Sequence, residues 1–261
     1  MSRPLRLLVA CAIVGAVVAA HVVRRNMPVR GVEVYIEYDG CDTLETAAYI
    51  AATIEQRMPA LATMRLKEVD TRLVESVVEE SPYLVRGRAS MSLLGRLVVY
   101  ARQRRPLLRV YCGSECFYID DQGVTMPLSP RGASPVTVAS GHFKQVLAKG
   151  HGTVDLSAWQ KDTAKSQYTL VQLWELADFL HRRDNVLDAY DQLYVNGKGD
   201  FCLVPSWAHF TVVLGGTDRL EEKMRHLDRF VERVIPVKGW DAYEEVNLKY
   251  EGQIVCRKKS E

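Results

Sequence analysis

From Leu7 to Ala20 every residue is apolar or Gly, and after His21 the run closes on Val22 and Val23 before Arg24 and Arg25. A helix needs roughly 17–25 such residues to cross a bilayer, and residues 7–23 reach the short end of that range. Three readings fit the run: a membrane-spanning anchor, a cleavable signal peptide ending near Val18-Ala19-Ala20, and a buried soluble helix. The anchor is the expectation, because Arg3 and Arg6 precede the run and Arg24 and Arg25 follow it. Those same charges, with Arg30 and the amino terminus, nearly balance across the run, so charge alone does not set its orientation.

Beyond the run the periodicity changes. Val32 to Tyr38 alternates apolar and polar with period two, the mark of a half-buried strand, and Asp39-Gly40 ends it. Asp42-Thr43-Leu44-Glu45 has capping-box spacing and predicts a helix carrying Leu44, Ala47, Ala48, Ala51, Ile54 and Met58 as far as Pro59. A second helix is predicted from Asp70 to the stop at Pro82, with Leu73, Val74, Val77 and Val78 on one face. Two strands follow, Tyr83 to Leu93 and Arg96 to Arg104, joined through Leu94-Gly95. Strand, helix, helix, strand, strand is a compact α+β unit.

From Pro106 short strands and turns take over. Strands are predicted at 107–111, 117–120, 136–139, 191–195, 201–204 and 210–214, with a helix from Ser166 that places Leu170, Leu173, Trp174, Ala177 and Leu180 on one face. Asn196-Gly197-Lys198-Gly199-Asp200 reads as a hairpin turn, since a phosphate loop would lead into a helix and a strand comes next. Thr217 is placed to cap a helix striped by Leu220, Met224, Leu227, Val231 and Val234. Strands at 240–249 and 253–257 finish the chain around Tyr250-Glu251-Gly252.

Composition narrows the function classes. Hydrophobic residues make up 48% and charged residues 25% of the 261, and the net charge is +2. That suits a chain with a real core and carries no electrostatic footprint for nucleic acid. The six Cys leave an odd number outside the apolar run, which excludes a complete internal disulfide framework. Cys112 and Cys116 bracket a hairpin loop and are read either as a cross-strand pair or as free thiols. No nucleophile elbow, phosphate loop or metal-spaced His pair occurs. Asp120 and Asp121 are adjacent on a strand, point to opposite faces and do not converge; Asp121 before Gln122-Gly123 reads as turn chemistry. No catalytic residue, cofactor or metal is expected.

Several stretches together resemble the FtsQ/DivIB cell-division family: Arg104-Arg105-Pro106-Leu107-Leu108-Arg109-Val110, Phe117 to Val124, Tyr194-Val195-Asn196, Phe201 to Pro205, Val213-Leu214-Gly215, and above all Tyr243 to Val255. The stretch from Lys144 to Lys165 has no matching feature. The resemblance implies a cytoplasmic tail (1–6), a transmembrane helix (7–23), a POTRA domain (32–105) and a mainly antiparallel β domain with two helices (106–258). It further implies a non-enzymatic divisome scaffold in the cell inner membrane at the septum, N-terminus cytoplasmic and folded domains periplasmic, with FtsB and FtsL as partners. Lys249, Tyr250, Glu251, Gly252, Gln253, Ile254 and Val255 are the positions it marks for docking. Physically, a last strand with unpaired backbone groups can accept a partner strand, or it can be a plain edge guarded by Lys258-Lys259. A POTRA-bearing module of protein export or outer-membrane assembly is the alternative, and a periplasmic enzyme a third reading.

Overall fold

A computed structural model of the chain describes residues 3–143, 153–162, 164–166, 168–183 and 186–259, with side chains from residue 11 onward. It divides into two compact units, Met1–Arg104 and Arg105–Glu261.

In the first unit α1 (Arg3–Arg25) is one helix. Ile13, Val14, Val17, Val18, Val22 and Val23 are all more than half exposed, so no part of the unit covers this stretch. Among the described residues no helix is long and apolar enough to cross a membrane. The side chains of residues 3–10 lie outside the described ones, and of the expected tail 1–6 only residues 1 and 2 lie wholly outside the described residues, since the helix already starts at Arg3. β1 (Val32–Glu37), α2 (Ala47–Arg57), α3 (Thr71–Glu79), β2 (Leu84–Met91) and β3 (Leu97–Gln103) follow, in the sheet order β1-β3-β2. β1 runs parallel to β3 and β2 antiparallel to it. Period-two alternation turns Val32, Val34 and Ile36 to the same side as Leu97, Val99 and Ala101. There they pack with Ile50 and Ile54 of α2 and Val74, Val77 and Val78 of α3.

Two local expectations are corrected. α2 begins at Ala47, not near Asp42, and its cap is Thr46, whose hydroxyl accepts the Tyr49 N–H at 3.2 Å. Gln103 Oε1 takes the Leu44 and Glu45 N–H groups at 2.7 and 3.1 Å, and Glu45 is buried, its carboxylate accepting from Thr46 N–H and Ser81 Oγ. A strand side chain thereby captures the donors that a capping box would have used. On α3, Leu73 is 50% exposed while Val74 is fully buried, so the apolar face is rotated by about one residue. Gly87 of β2 permits this seating, since a Cβ there would lie 2.8 Å from Val78 Cγ1. An unpaired buried charge is among the costliest substitutions. Val74→Asp should therefore lower the urea stability of this unit by several kcal/mol, and Leu73→Asp by no more than about 0.5 kcal/mol, as for other exposed sites. Equal losses at the two positions would contradict the seating of α3.

Among the described residues the second unit holds one nine-stranded sheet in the order β12-β11-β10-β9-β8-β7-β4-β5-β6. Its elements are β4 (Pro106–Cys112), β5 (Glu115–Asp120), β6 (Thr125–Pro127), β7 (Thr137–Gly141), α4 (Leu156–Gln160), α5 (Thr169–Arg182), β8 (Tyr190–Val195), β9 (Phe201–Pro205), β10 (Thr211–Gly215), α6 (Leu220–Arg233), α7 (Ile235–Lys238), β11 (Tyr243–Asn247) and β12 (Val255–Lys258). The whole chain is thus mixed α+β, dominated by this large sheet. The pairs β4–β7, β7–β8 and β10–β11 are parallel and the others antiparallel. Two of the parallel joints arise because α4 with α5, and α6 with α7, carry the chain back between neighbouring strands, as parallel pairing requires. Leu170, Leu173, Trp174, Ala177 and Leu180 of α5 pack with Met224, Leu227 and Phe230 of α6 in the core over this sheet.

The β4–β5 register sets Cys112 opposite Glu115 and Cys116 opposite Tyr111. The two thiols are therefore not cross-strand partners, and no disulfide is formed among the described residues. Residues 144–152 and 163 of the stretch without a family feature lie outside the described residues.

Candidate functional site

A sheet must end somewhere, and an end strand exposes backbone donors and acceptors. This chain closes two of its strand edges. On β2 the Glu75 carboxylate accepts the Ala89 N–H at 2.9 Å. On β6, Thr125 N–H donates to the Val154 C=O, Val154 N–H to Thr125 Oγ1, and Val124 bridges Asp155. The opposite end of the large sheet is different. Among the described residues none pairs with the outer side of β12.

The direction of the edge groups follows from the ladder. Leu248 N–H donates to Val213 C=O at 2.8 Å, so on β11 the even-numbered positions face β10. Glu245 and Asn247 then face β12, opposite Arg257 and Val255. Lys259 N–H donates inward to Ala242 C=O at 3.3 Å, in the same phase. Alternation leaves the N–H and C=O of Cys256 and Lys258 pointing away from the sheet. Val255, 47% exposed, and Arg257 alternate in side-chain direction with Cys256, which packs with Ile254 and Tyr243 against the rim of the core.

Of the seven residues that the resemblance marks for docking, only Val255 lies in the edge strand. Residues 248–254 form the connection between β11 and β12, and Cys256, Arg257 and Lys258 complete the strand. Lys249 is committed internally: its Nζ donates to Asp200 Oδ1 at 2.7 Å, and that hydrogen bond holds the ammonium above its usual pKa range. Its stem lies over Gly215, whose φ of 76° and close approach leave no room for a side chain. Arg219 Nη2 donates to Lys249 C=O at 3.5 Å, and Arg219 Nη1 stands 3.7 Å from Glu251. Arg219, in the left-handed region, is the N-cap of α6, and Thr217 is not. Asp218 takes the local side-chain bonds, from Arg219 and from the buried Lys223. Desolvation opposes ionisation of Asp218, but these bonds outweigh it and lower its pKa, while burial lowers that of Lys223. Tyr250 stands exposed beside this anchored loop.

A surface cavity of about 730 Å³ is lined by Gln160, Trp174, Glu175, Asp178, Arg182 and Glu221. Glu175 there accepts from Gln160 and Asp178 from Arg182. Asp120, the supposed strand carboxylate, is fully buried and accepts the Gln122 and Val124 N–H groups, so it and not Asp121 builds the turn. Among the described residues no group of three or more His, Cys, Asp and Glu could hold a metal ion. Burial raises the Cys202 thiol to about 11, and burial followed by the Glu115 charge raises that of Cys112.

The chain thus joins a small β-α-α-β-β unit to a large sheet that ends on a strand whose outer side is unpaired among the described residues. A family model described as FtsQ/DivIB, C-terminal related, matches residues 105–257, more than half of the chain, and the chain belongs to that family. The family is one of non-enzymatic cell-division proteins. No curated protein matches the chain.

Two outcomes are expected. Lys249→Met should speed amide exchange across residues 248–254 and leave that of β8 and β9 unchanged, because the loop loses its tie to Asp200. Maleimide at neutral pH should spare Cys112 and Cys202 until the protein is denatured, because a buried, protonated thiol is a poor nucleophile; rapid native labelling of either would contradict its burial.

Proposed function

We propose that this protein is a single-pass inner-membrane scaffold of the division septum that captures FtsB- and FtsL-type partners by adding a partner strand to β12. The observation that carries the reading is the outward-facing backbone of Cys256 and Lys258 at the end of a sheet whose other edge is covered. Family membership supplies the division context, and the partners follow from the family resemblance. The docking surface then shifts from the seven residues 249–255 to Val255 through Lys258, with Tyr250 and the Lys249-anchored loop at one end.

The remaining parts of the reading have their own support. Apart from His21, α1 is apolar or Gly from residue 11 to 23 and its side chains are exposed, which suits lipid better than water. The strand-helix-helix-strand-strand order of the first unit is that of a POTRA domain, and in chain order it follows the anchor and precedes the docking unit. Backbone pairing tolerates most side-chain changes, so partner capture should be insensitive to Val255→Thr or Arg257→Gln.

Proline separates docking from folding. Cys256→Pro removes an outward N–H, sets a ring in the path of an incoming strand and leaves the ladder to β11 intact. Capture of the partner complex from host membranes should fall at least tenfold, about 1.4 kcal/mol, with the thermal transition retained. Arg257→Pro, which removes an inward N–H, should instead loosen β12 and lower the melting temperature. A folded Cys256→Pro protein that captures its partners at the wild-type level would rule out this edge as the docking site.

A further inference from the structure

The β2–β3 turn carries two leucines into solvent: Leu93 is 75% and Leu94 69% exposed. The turn is well formed. Ser92 N–H donates to Arg96 C=O at 2.8 Å, Gly95 N–H to Ser92 C=O at 3.2 Å, and Arg96 N–H to Ser92 Oγ at 3.0 Å. The leucines are therefore held outward by a fixed turn.

Topology decides which end of the unit they occupy. The chain leaves α1 and enters the sheet at Val32. Because β1 and β3 are parallel, with Val32 beside Leu97, the start of β3 and the turn before it lie at that same end. Direct bonds tie the two together. Arg24 Nη2, in the last turn of α1, donates to Met91 C=O at 3.0 Å, and Arg30 N–H donates to Gly95 C=O at 2.9 Å. The segment from Met64 to Leu66 joins the same end, through Val29 N–H to Met64 C=O and Leu66 N–H to Met27 C=O.

The charges around this end are mostly basic. Arg25, Arg30, Arg65 and Lys67 are exposed, and Arg24 is half-buried. Glu33 is engaged by Arg96, and Glu68 accepts the Arg65 N–H at 2.9 Å. An exposed apolar tip rimmed by Arg and Lys, beside the exit of an apolar helix, has the composition of an interfacial membrane contact.

We infer that the Leu93-Leu94 turn is a second, shallow membrane contact, inserting at the headgroup–acyl boundary of the leaflet from which α1 emerges, with Arg25, Arg30, Arg65 and Lys67 facing anionic headgroups. The inference rests on the anchor reading above and adds to it. A lone helix would let the first unit swing freely, whereas a second contact fixes its tilt on the bilayer. A lipid surface is the occupant because the turn is continuous with the proposed membrane exit and its basic rim complements anionic lipid.

Fluorescence of the full chain tests this. Cys11, Cys41, Cys116 and Cys256 are replaced by Ala, and an environment-sensitive dye is attached to Leu94→Cys, to Val17→Cys, or to Glu79→Cys. Glu79 ends α3, just before the start of β2 at the opposite end of the sheet. The proteins are reconstituted into phosphatidylcholine–phosphatidylglycerol vesicles containing a shallow nitroxide-labelled lipid. The Leu94 dye is expected to shift to shorter wavelength and to lose most of its emission to the nitroxide, while the Glu79 dye does neither. If the Val17 dye is quenched and the Leu94 dye behaves like that on Glu79, the turn is not a membrane contact, although the anchor stands. If the Val17 dye is also unquenched, the anchor reading fails and this inference falls with it.

Discussion

The outer end of the large sheet hangs on the parallel ladder between β10 and β11, in which Thr211, Val212 and Val213 lie beside Glu245, Val246 and Asn247. Among the described residues β12 pairs with no other strand, so its position and the direction of its backbone groups are inherited through β11. Met224, Leu227 and Phe230 share a core with Val212, Leu214, Val246 and Leu248, and this common burial holds α6 and the two strands as one piece. Hydrophobic burial at roughly 25 cal/mol per Å² supplies that cohesion. The Lys249–Asp200 bond then fixes the loop that delivers the chain into β12. An edge of this kind is preorganised: a strand that adds to it meets groups already aligned.

The contrast among the edges gives the arrangement its meaning. Glu75 occupies β2, and residues 154–156 cover β6, so the chain has the means to guard a strand where guarding is needed. At β12 the protection is limited to charge. Arg257 pairs with Glu244 and Glu245 of its own neighbour strand, and Lys258 is exposed. Exposed pairs of this kind contribute little to stability. They deter indiscriminate edge-to-edge association and leave the main chain available, which suits recognition of one strand over many.

Much of this was legible in the residues. Alternation fixed β1 and the core face of the small sheet, the five apolar positions of α5 are all buried, and Asn196 to Asp200 forms the hairpin its composition required. The misses share a cause: a side chain outside the expected motif overrode a local signal. Gln103 displaced the capping box at Asp42, the close approach at Gly87 rotated α3 away from Leu73, and Asp218 with Lys223 replaced Thr217 at the head of α6. The parallel joints could not be read, because pairing partners far apart in sequence leave no periodic trace. The last strand, expected at 253–257, runs from Val255 to Lys258 for the same reason. Tyr250-Glu251-Gly252 announces a turn, but the length of the loop around it is set by contacts to Asp200 and Arg219. The Arg24–Met91 bond, which ties α1 to the β2–β3 turn, likewise has no sequence signature.

The claim on which the account turns is that β12 docks a partner through its outward main chain, and residue-resolved amide hydrogen exchange reads those groups directly. In the free protein the Val255 and Arg257 amides, which face β11, should be protected, and those of Cys256 and Lys258 should exchange freely. With the FtsB/FtsL-type partner bound, the account predicts strong protection at Cys256 and Lys258. Binding that leaves both amides exchanging as in the free protein, with new protection elsewhere, would contradict it.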